Sequence, residues 1–198
     1  MAFLTRLPIA HTPDEDGSLP EAHETPQDMA SAMWLFPFVG FAIGGAGALA
    51  LGALTWGGVP APVAATLTIG VLIWLTGALH EDGLSDIADG FGGGNDRDQK
   101  LEIMRDSRLG AYGTVTLAVV IVTKIAALAT IAAHDVGAAA GALIAATVWG
   151  RALIAPTMRW LAPARDNGLG ANAGQPSEGD SWKGLGLAVL LVLLVLVT

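Results

Sequence analysis

The stretch that decides the fold runs from His80 to Gly110 and reads HEDGLSDIADGFGGGNDRDQKLEIMRDSRLG. It contains eight of the 18 acidic residues and four of the ten Lys and Arg residues, and long apolar segments lie on both sides of it. Only 14% of the 198 residues are charged and 53% are hydrophobic, whereas about a quarter of the residues of a soluble domain are charged. The composition therefore indicates an all-α integral membrane protein with one dense group of charges.

Four apolar segments are long enough to cross a bilayer as helices, which takes about 20 residues. These segments are Met33–Leu54, Pro60–Leu79, Ala111–Ala133 and Val136–Met158. A fifth, Leu185–Thr198, is shorter and stops with the chain, so we expect a C-terminus truncated within a span. The sequence predicts a polytopic transmembrane helix bundle with about five spans, forming a single integral membrane domain over residues 1–198.

The connections between these spans differ in positive charge. Arg6 lies in the polar arm formed by residues 1–32, and further Lys and Arg residues lie in the central stretch and between spans four and five. The other two connections have none. Because cytoplasmic loops of membrane proteins carry an excess of Lys and Arg, we expect the N-terminal arm and the central stretch to be cytoplasmic.

The overall composition excludes several classes of function. A net charge of −8 argues against a nucleic-acid partner, which favours a basic surface. The chain has no cysteine, so disulfides, a thiolate nucleophile and cysteine-ligated metals are excluded. Its four histidines are scattered and show no metal-ligand spacing.

Three carboxylates in the central stretch have helical spacing. Asp82, Asp86 and Asp89 lie at i, i+4 and i+7, which places them on one face of an α-helix, where like charges repel. A divalent cation removes this repulsion, and Mg²⁺ commonly binds carboxylates together with substrate phosphates. The alternative is a solvated acidic face. His80 adjoins these carboxylates and either orients one of them, shuttles a proton or is simply interfacial.

The second half of the stretch supplies cations. The glycines of Phe91–Asp96 predict a break, after which a second short helix over Lys100–Arg108 folds back toward the first. Its arginines suit phosphate because a guanidinium binds two oxygens at once. The alternative is a surface helix with internal salt bridges. Lys124 falls inside the third span, where a charged side chain usually has a functional or a charge-pairing role. The alternative is that its long side chain extends to the membrane surface and places the ammonium group in water. The predicted unit is a cytoplasmic helix–Gly turn–helix catalytic loop over residues 80–110.

Several of these segments resemble those of a known family. The run His80–Gly90, the run Leu101–Gly113 and Lys124 closely resemble cobalamin synthase, that is, adenosylcobinamide-GDP ribazoletransferase. Phe3–Pro8 and Phe36–Gly40 are similar to the opening segments of that family, and the resemblance covers nearly the whole chain. In relatives an apolar residue usually stands at the position of Glu81.

The resemblance implies a Mg²⁺-dependent enzyme of cobalamin biosynthesis in the bacterial inner membrane. Adenosylcobinamide-GDP and α-ribazole, or α-ribazole 5′-phosphate, would give adenosylcobalamin, or its 5′-phosphate, and GMP. The expected Mg²⁺ ligands are Asp82, Asp86 and Asp89, with Asp89 the first choice to accept the proton of the attacking hydroxyl. Membrane lipid and other enzymes of the pathway are the expected partners.

The resemblance also implies roles for the second half of the stretch. Arg105, Arg108 and Lys124 are expected to bind the diphosphate. Asp106 and Glu102 are expected either to complete the metal site or to orient the arginines. Asp106 is assigned to the catalytic residues together with the three carboxylates of the first helix. The residues assigned to substrate binding are Arg105, Arg108, Lys124, His80 and Glu102.

Two other classes compete with this interpretation. CDP-alcohol phosphatidyltransferases also begin a motif with Asp-Gly, but that motif continues with Ala-Arg, and Asp82-Gly83 is followed by Leu-Ser-Asp. A transporter would use Lys124 and Arg151 along an ion path. Transporters usually bind their substrate near the middle of the membrane between repeated halves, whereas this chain concentrates its charge in one connection and shows no repeat.

Overall fold

A computed structural model describes residues 26–197, and the predictions for residues 1–25 lie outside this range. Within it the chain is helical and contains no strand, which confirms the all-α prediction. The elements are α1 (Pro26–Ala32), a 3₁₀ turn (Met33–Leu35), α2 (Phe36–Trp56), α3 (Ala61–Thr76), α4 (Leu79–Gly93), α5 (Arg97–Ile103), α6 (Ala111–His134), α7 (Val136–Ala152), α8 (Ile154–Trp160), α9 (Leu169–Asn172) and α10 (Glu178–Val197).

The number of membrane spans agrees with the sequence. In the described chain, four helical segments are long and apolar enough to cross a bilayer: Met29–Trp56, Ala111–His134, Val136–Trp160 and Glu178–Val197. A fifth qualifies only as a broken pair, in which α3 and α4 meet at an angle of 89°. The first span begins at Met29, so the last residues of the predicted N-terminal arm belong to it.

The last span is longer than its apolar run. We predicted a start at Leu185, but α10 begins at Glu178 and has 20 residues. The Ser177 hydroxyl accepts a hydrogen bond from the backbone N–H of Asp180 at 3.0 Å, as a helix N-cap does. Glu178 and Asp180 lie in the first turn, where negative charge stabilises a helix. The polar residues before Leu185 therefore form the start of the helix.

The second predicted span, Pro60–Leu79, is interrupted. α3 ends at Thr76 after 16 residues, and the next two residues adopt left-handed backbone conformations. Gly77 has φ 66°, and Ala78 has φ 59°, which is uncommon for a residue with a side chain. These two residues terminate α3 and turn the chain through nearly a right angle into α4.

The described chain divides into two compact units, residues 26–48 with 140–197 and residues 49–139. In the first unit, Gly40 and Gly44 of α2 lie against Thr147 and Ile144 of α7, so closely that a Cβ on either glycine would collide with them. This is the close backbone approach that small residues four apart permit in membranes.

The second unit is built around α6. Both α3 and α4 pack against α6, and α5 packs against α4. This unit contains the whole stretch from His80 to Gly110 and also Lys124. Every residue of the predicted site therefore lies within one compact unit.

Candidate active site

The three predicted carboxylates lie on one continuous helix. α4 includes Asp82, Asp86 and Asp89, so their shared face is confirmed. Their environments differ, since Asp82 is exposed, Asp86 is half-buried and Asp89 is buried. α4 is not a free loop, because it packs along α6. That the stretch lies on the cytoplasmic side stays a prediction.

Asp89 holds the start of α6. Its Oδ2 accepts a hydrogen bond from the backbone N–H of Gly110, and its Oδ1 accepts one from that of Gly113, both at 2.9 Å. The first N–H groups of a helix have no partner within the helix, and negative charge is favourable at this end. Asp89 therefore joins α4 to the N-terminus of α6. Its predicted role as a third Mg²⁺ ligand and proton acceptor stays a prediction.

Two glycines that the sequence analysis did not select allow this contact. A Cβ on Gly110 would collide with the Asp89 carboxylate, and one on Gly113 would collide with Asp89 and with the Ser85 hydroxyl. Between them, the Tyr112 ring lies so close to Gly92 of α4 that a side chain there would not fit. In the sequence, the only indication of this contact is the pair of glycines around the first turn of α6. Glycine is so common in this chain that the pair does not stand out.

The second predicted helix has different limits. α5 runs from Arg97 to Ile103, begins with Asp96 as its N-cap and ends five residues before the predicted end at Arg108. The Asp96 carboxylate accepts a hydrogen bond from the N–H of Gln99 at 2.9 Å. α4 continues through two of the glycines to Gly93, so the turn is shorter than predicted.

The predicted reversal of the chain is nonetheless present. The Lys100 ammonium lies 4.9 Å from the centre of the Phe91 ring. Gly90 and Gly94 lie against Met104 and Lys100, and neither has room for a Cβ. The glycines thus allow α5 to pack closely on the end of α4.

Asp106 and Arg108 form an ion pair in the segment after α5. The Asp106 carboxylate accepts hydrogen bonds from the Arg108 side chain, from Nε at 2.9 and 3.0 Å and from Nη2 at 2.5 Å. It also accepts one from the Arg108 backbone N–H at 3.1 Å. Such a local side-chain bond to the backbone competes with the helix, which accounts for the early end of α5. Asp106 thus orients Arg108, which is one of the two roles predicted for it.

The same contacts keep both groups charged. Hydrogen bonds from the Arg108 side chain lower the pKa of Asp106 below its ordinary value of 3.8, and Asp106 raises the pKa of Arg108. A carboxyl group whose pKa is lowered in the folded protein stabilises the fold fully at pH values above its ordinary pKa. This stabilisation is lost as the pH falls through the lowered pKa. The pair is therefore intact near neutral pH. The Arg108 side chain remains 87% exposed.

Lys124 pairs with Glu81. The Lys124 Nζ lies 3.2 Å from the Glu81 Oε1, and the two side chains are 47% and 14% exposed. This confirms a charge-pairing role for Lys124 and gives Glu81 a partner. Binding of the diphosphate by Lys124 stays a prediction.

We expect replacement of Lys124 by methionine to destabilise the protein by about 1–3 kcal/mol, because it leaves the carboxylate of Glu81 without its partner. The double variant Lys124→Met/Glu81→Met removes both charges and is expected to recover most of the loss. Thermal unfolding of the purified variants in detergent measures this double-mutant cycle. Lys124 would instead be assigned to substrate binding if the stability losses of the two single variants add in the double variant and if the single variant Lys124→Met raises the KM for the diphosphate substrate.

The remaining predicted residues lie at the surface of the same unit. His80, Glu102 and Arg105 are exposed. Among residues 26–197, no three His, Asp or Glu side chains are close enough together to hold a metal ion. Mg²⁺, however, is commonly bound by one or two carboxylates together with substrate phosphates. Asp82 and Asp86, one turn apart on α4, fit this requirement.

Comparison with known proteins identifies the family. The sequence matches the cobalamin-5-phosphate synthase family over residues 1–198. The chain belongs to this family. Family membership supports the interpretation as a cobalamin synthase over the two alternatives, a CDP-alcohol phosphatidyltransferase and a transporter.

Individual relatives agree with this membership. An adenosylcobinamide-GDP ribazoletransferase from Azorhizobium caulinodans is 40% identical over 197 residues, which cover 100% of this chain and 72% of the relative. A protein of the same name from Mesorhizobium japonicum is 38% identical, with 98% and 71% covered. One from Rhizobium johnstonii is 39% identical, with 99% and 73% covered. No solved structure matches the chain.

Proposed function

We propose that this chain is an adenosylcobinamide-GDP ribazoletransferase of cobalamin biosynthesis. The observation that carries the proposal is that relatives with this name match essentially the whole chain at about 40% identity. The substrates would be adenosylcobinamide-GDP and α-ribazole or its 5′-phosphate. The products would be adenosylcobalamin or its 5′-phosphate, together with GMP.

In the proposed reaction, a ribose hydroxyl of ribazole other than the 5′-hydroxyl attacks the phosphorus attached to cobinamide, because the 5′-oxygen is already esterified in the 5′-phosphate substrate. A new P–O bond forms, the bond from this phosphorus to the bridging oxygen breaks, and GMP leaves with that oxygen. Asp86 accepts the proton of the hydroxyl. We propose Asp86 in place of Asp89 because both oxygens of Asp89 accept backbone hydrogen bonds at the start of α6, and Asp86 lies on the same face of α4.

Asp82 and Asp86 would hold Mg²⁺ through carboxylate oxygens. Bound there, the ion would neutralise charge on the diphosphate, which is the main requirement of phosphoryl transfer. Arg105 and Arg108 would bind phosphate oxygens, and Asp106 orients Arg108 for this task. The pair with Asp106 engages the Nε and Nη2 atoms of Arg108, while a guanidinium carries five N–H donors in all.

The proposed location is the bacterial inner membrane, with the stretch from His80 to Gly110 on the cytoplasmic side. Support comes from the membrane-length helices and from the distribution of Lys and Arg, which favours the cytoplasm for this connection. Membrane lipid would surround the spans, and other enzymes of the pathway are proposed partners.

The function is tested with membranes that contain the protein and matched membranes that lack it. Supplied with adenosylcobinamide-GDP, α-ribazole and Mg²⁺, the first membranes are expected to release GMP in proportion to cobalamin formed. Chelation of Mg²⁺ with EDTA should stop this release, and excess Mg²⁺ should restore it. The proposal fails if GMP release is equal in the two membranes or does not depend on α-ribazole.

A further inference from the structure

A cleft lies in the first compact unit, which contains none of the residues assigned to the diphosphate. It has a volume of about 580 Å³ and is bounded by the end of α8, the segment that follows it and α9. Its lining is mostly apolar and includes Met158, Leu161 and Pro163. The polar side chains in the lining are those of Thr157, Arg165, Asn167 and Gln175. The volume and the mixture of residues are typical of a small-molecule site.

The chain around the cleft is held in place by specific contacts. The Gln175 side-chain amide donates a hydrogen bond to the backbone carbonyl of Arg159 at 3.1 Å, which ties the far end of the segment to α8. Gly168, with φ 107°, and Gly174, with φ 75°, adopt backbone conformations that favour glycine. The segment around the cleft therefore has a defined conformation.

The charge of the cleft argues against a diphosphate group as its ligand. Arg165 is the one charged side chain among its lining residues. A diphosphate carries several negative charges and needs several cations, which the stretch from His80 to Gly110 supplies with four Lys and Arg residues. A single arginine between apolar walls matches a planar heteroaromatic nucleoside, since a guanidinium either stacks on a ring or binds one phosphate.

We propose that this cleft binds the acceptor nucleoside, with its heteroaromatic base against Met158 and Leu161. The Gln175 amide, whose nitrogen already donates to the Arg159 carbonyl, offers its oxygen to a sugar hydroxyl, and Arg165 binds the phosphate when the 5′-phosphate is the substrate. This inference rests on the proposed function, because that function supplies ribazole as the ligand. It assigns the acceptor to residues outside the stretch from His80 to Gly110, which we propose binds the diphosphate.

The test is equilibrium binding of ribazole and of its 5′-phosphate to the full chain in lipid nanodiscs, without the second substrate. Ala162→Trp fills the cleft from an exposed lining position and is expected to weaken binding of both ligands at least tenfold. The matched control Ala142→Trp changes an exposed residue of α7 outside the cleft and should leave binding within twofold of wild type. Arg165→Gln should weaken binding of the 5′-phosphate about tenfold and that of ribazole less than threefold.

Equal binding by Ala162→Trp and wild type would overturn the inference, as would absence of ribazole binding to the wild-type protein. Weaker binding of adenosylcobinamide-GDP to Ala162→Trp, with ribazole unaffected, would assign the cleft to the other substrate and also overturn it. Failure of the proposed function is detected separately, as absence of GMP release by wild-type membranes supplied with both substrates.

Discussion

Replacing Asp86 with alanine is expected to reduce Mg²⁺-dependent GMP release by about 10²–10³-fold, the usual cost of losing one group that stabilises transition-state charge. Asp86 lies one turn from Asp82 on the same face of α4, and the two are the proposed Mg²⁺ ligands. Alanine favours the helix, so α4 is expected to remain folded. Initial rates of GMP release at saturating substrate measure the effect.

The matched control for this variant is Asp98→Ala. Asp98 is an almost fully exposed carboxylate of α5, 3.8 Å from Arg97, and no role in the reaction is proposed for it. We expect this control to keep wild-type rates. Both variants should insert into membranes and keep the helical circular-dichroism signal of the wild-type protein. Turnover of Asp86→Ala within threefold of wild type would remove Asp86 from the proposed mechanism.

Replacing Asp89 with alanine is expected to act first on stability. The change removes the acceptor of two backbone hydrogen bonds, and hydrogen bonds to charged groups contribute about 1.5–3 kcal/mol each. A loss of about 3–6 kcal/mol in the free energy of unfolding is therefore expected, as the start of α6 separates from α4. Denaturant or thermal unfolding in detergent, followed by circular dichroism, measures this loss.

The control for this second variant is Asp89→Asn, which keeps the size of the side chain. The Asn carbonyl oxygen accepts one of the two hydrogen bonds, but its NH₂ group cannot accept the other. About half of the lost stability should return. If Asp89→Ala unfolds like wild type and yet releases no GMP, Asp89 acts in the reaction as first predicted, and its role as an anchor is wrong.

Local spacing predicted much of the site. Residues at i, i+4 and i+7 share a helix face whatever the rest of the chain does, so the alignment of the three carboxylates followed from the sequence. The limits of the short helices did not follow in the same way. They depend on side-chain caps, with Asp96 starting α5 and Asp106 bonding to the backbone where α5 has ended.

The different environments of Asp86 and Asp89 could not be predicted, because they arise from contacts between distant residues. The partners of Asp89 lie 21 and 24 residues away, and Glu81 and Lys124 are 43 residues apart. Periodicity carries no information about such pairs. The glycines that permit the approach, Gly110 and Gly113, gain their meaning only when α4 lies against α6.

The sequence by itself determined the membrane class, the number of spans and the concentration of charge in the stretch from His80 to Gly110. It did so because apolar length is matched to bilayer thickness and because charge is costly in lipid. Only the tertiary structure decided that Asp89 is the carboxylate that anchors the N-terminus of α6. The physical reason is that a carboxylate serves backbone N–H groups where packing brings them within hydrogen-bond distance, and that packing brings Gly110 and Gly113 to Asp89.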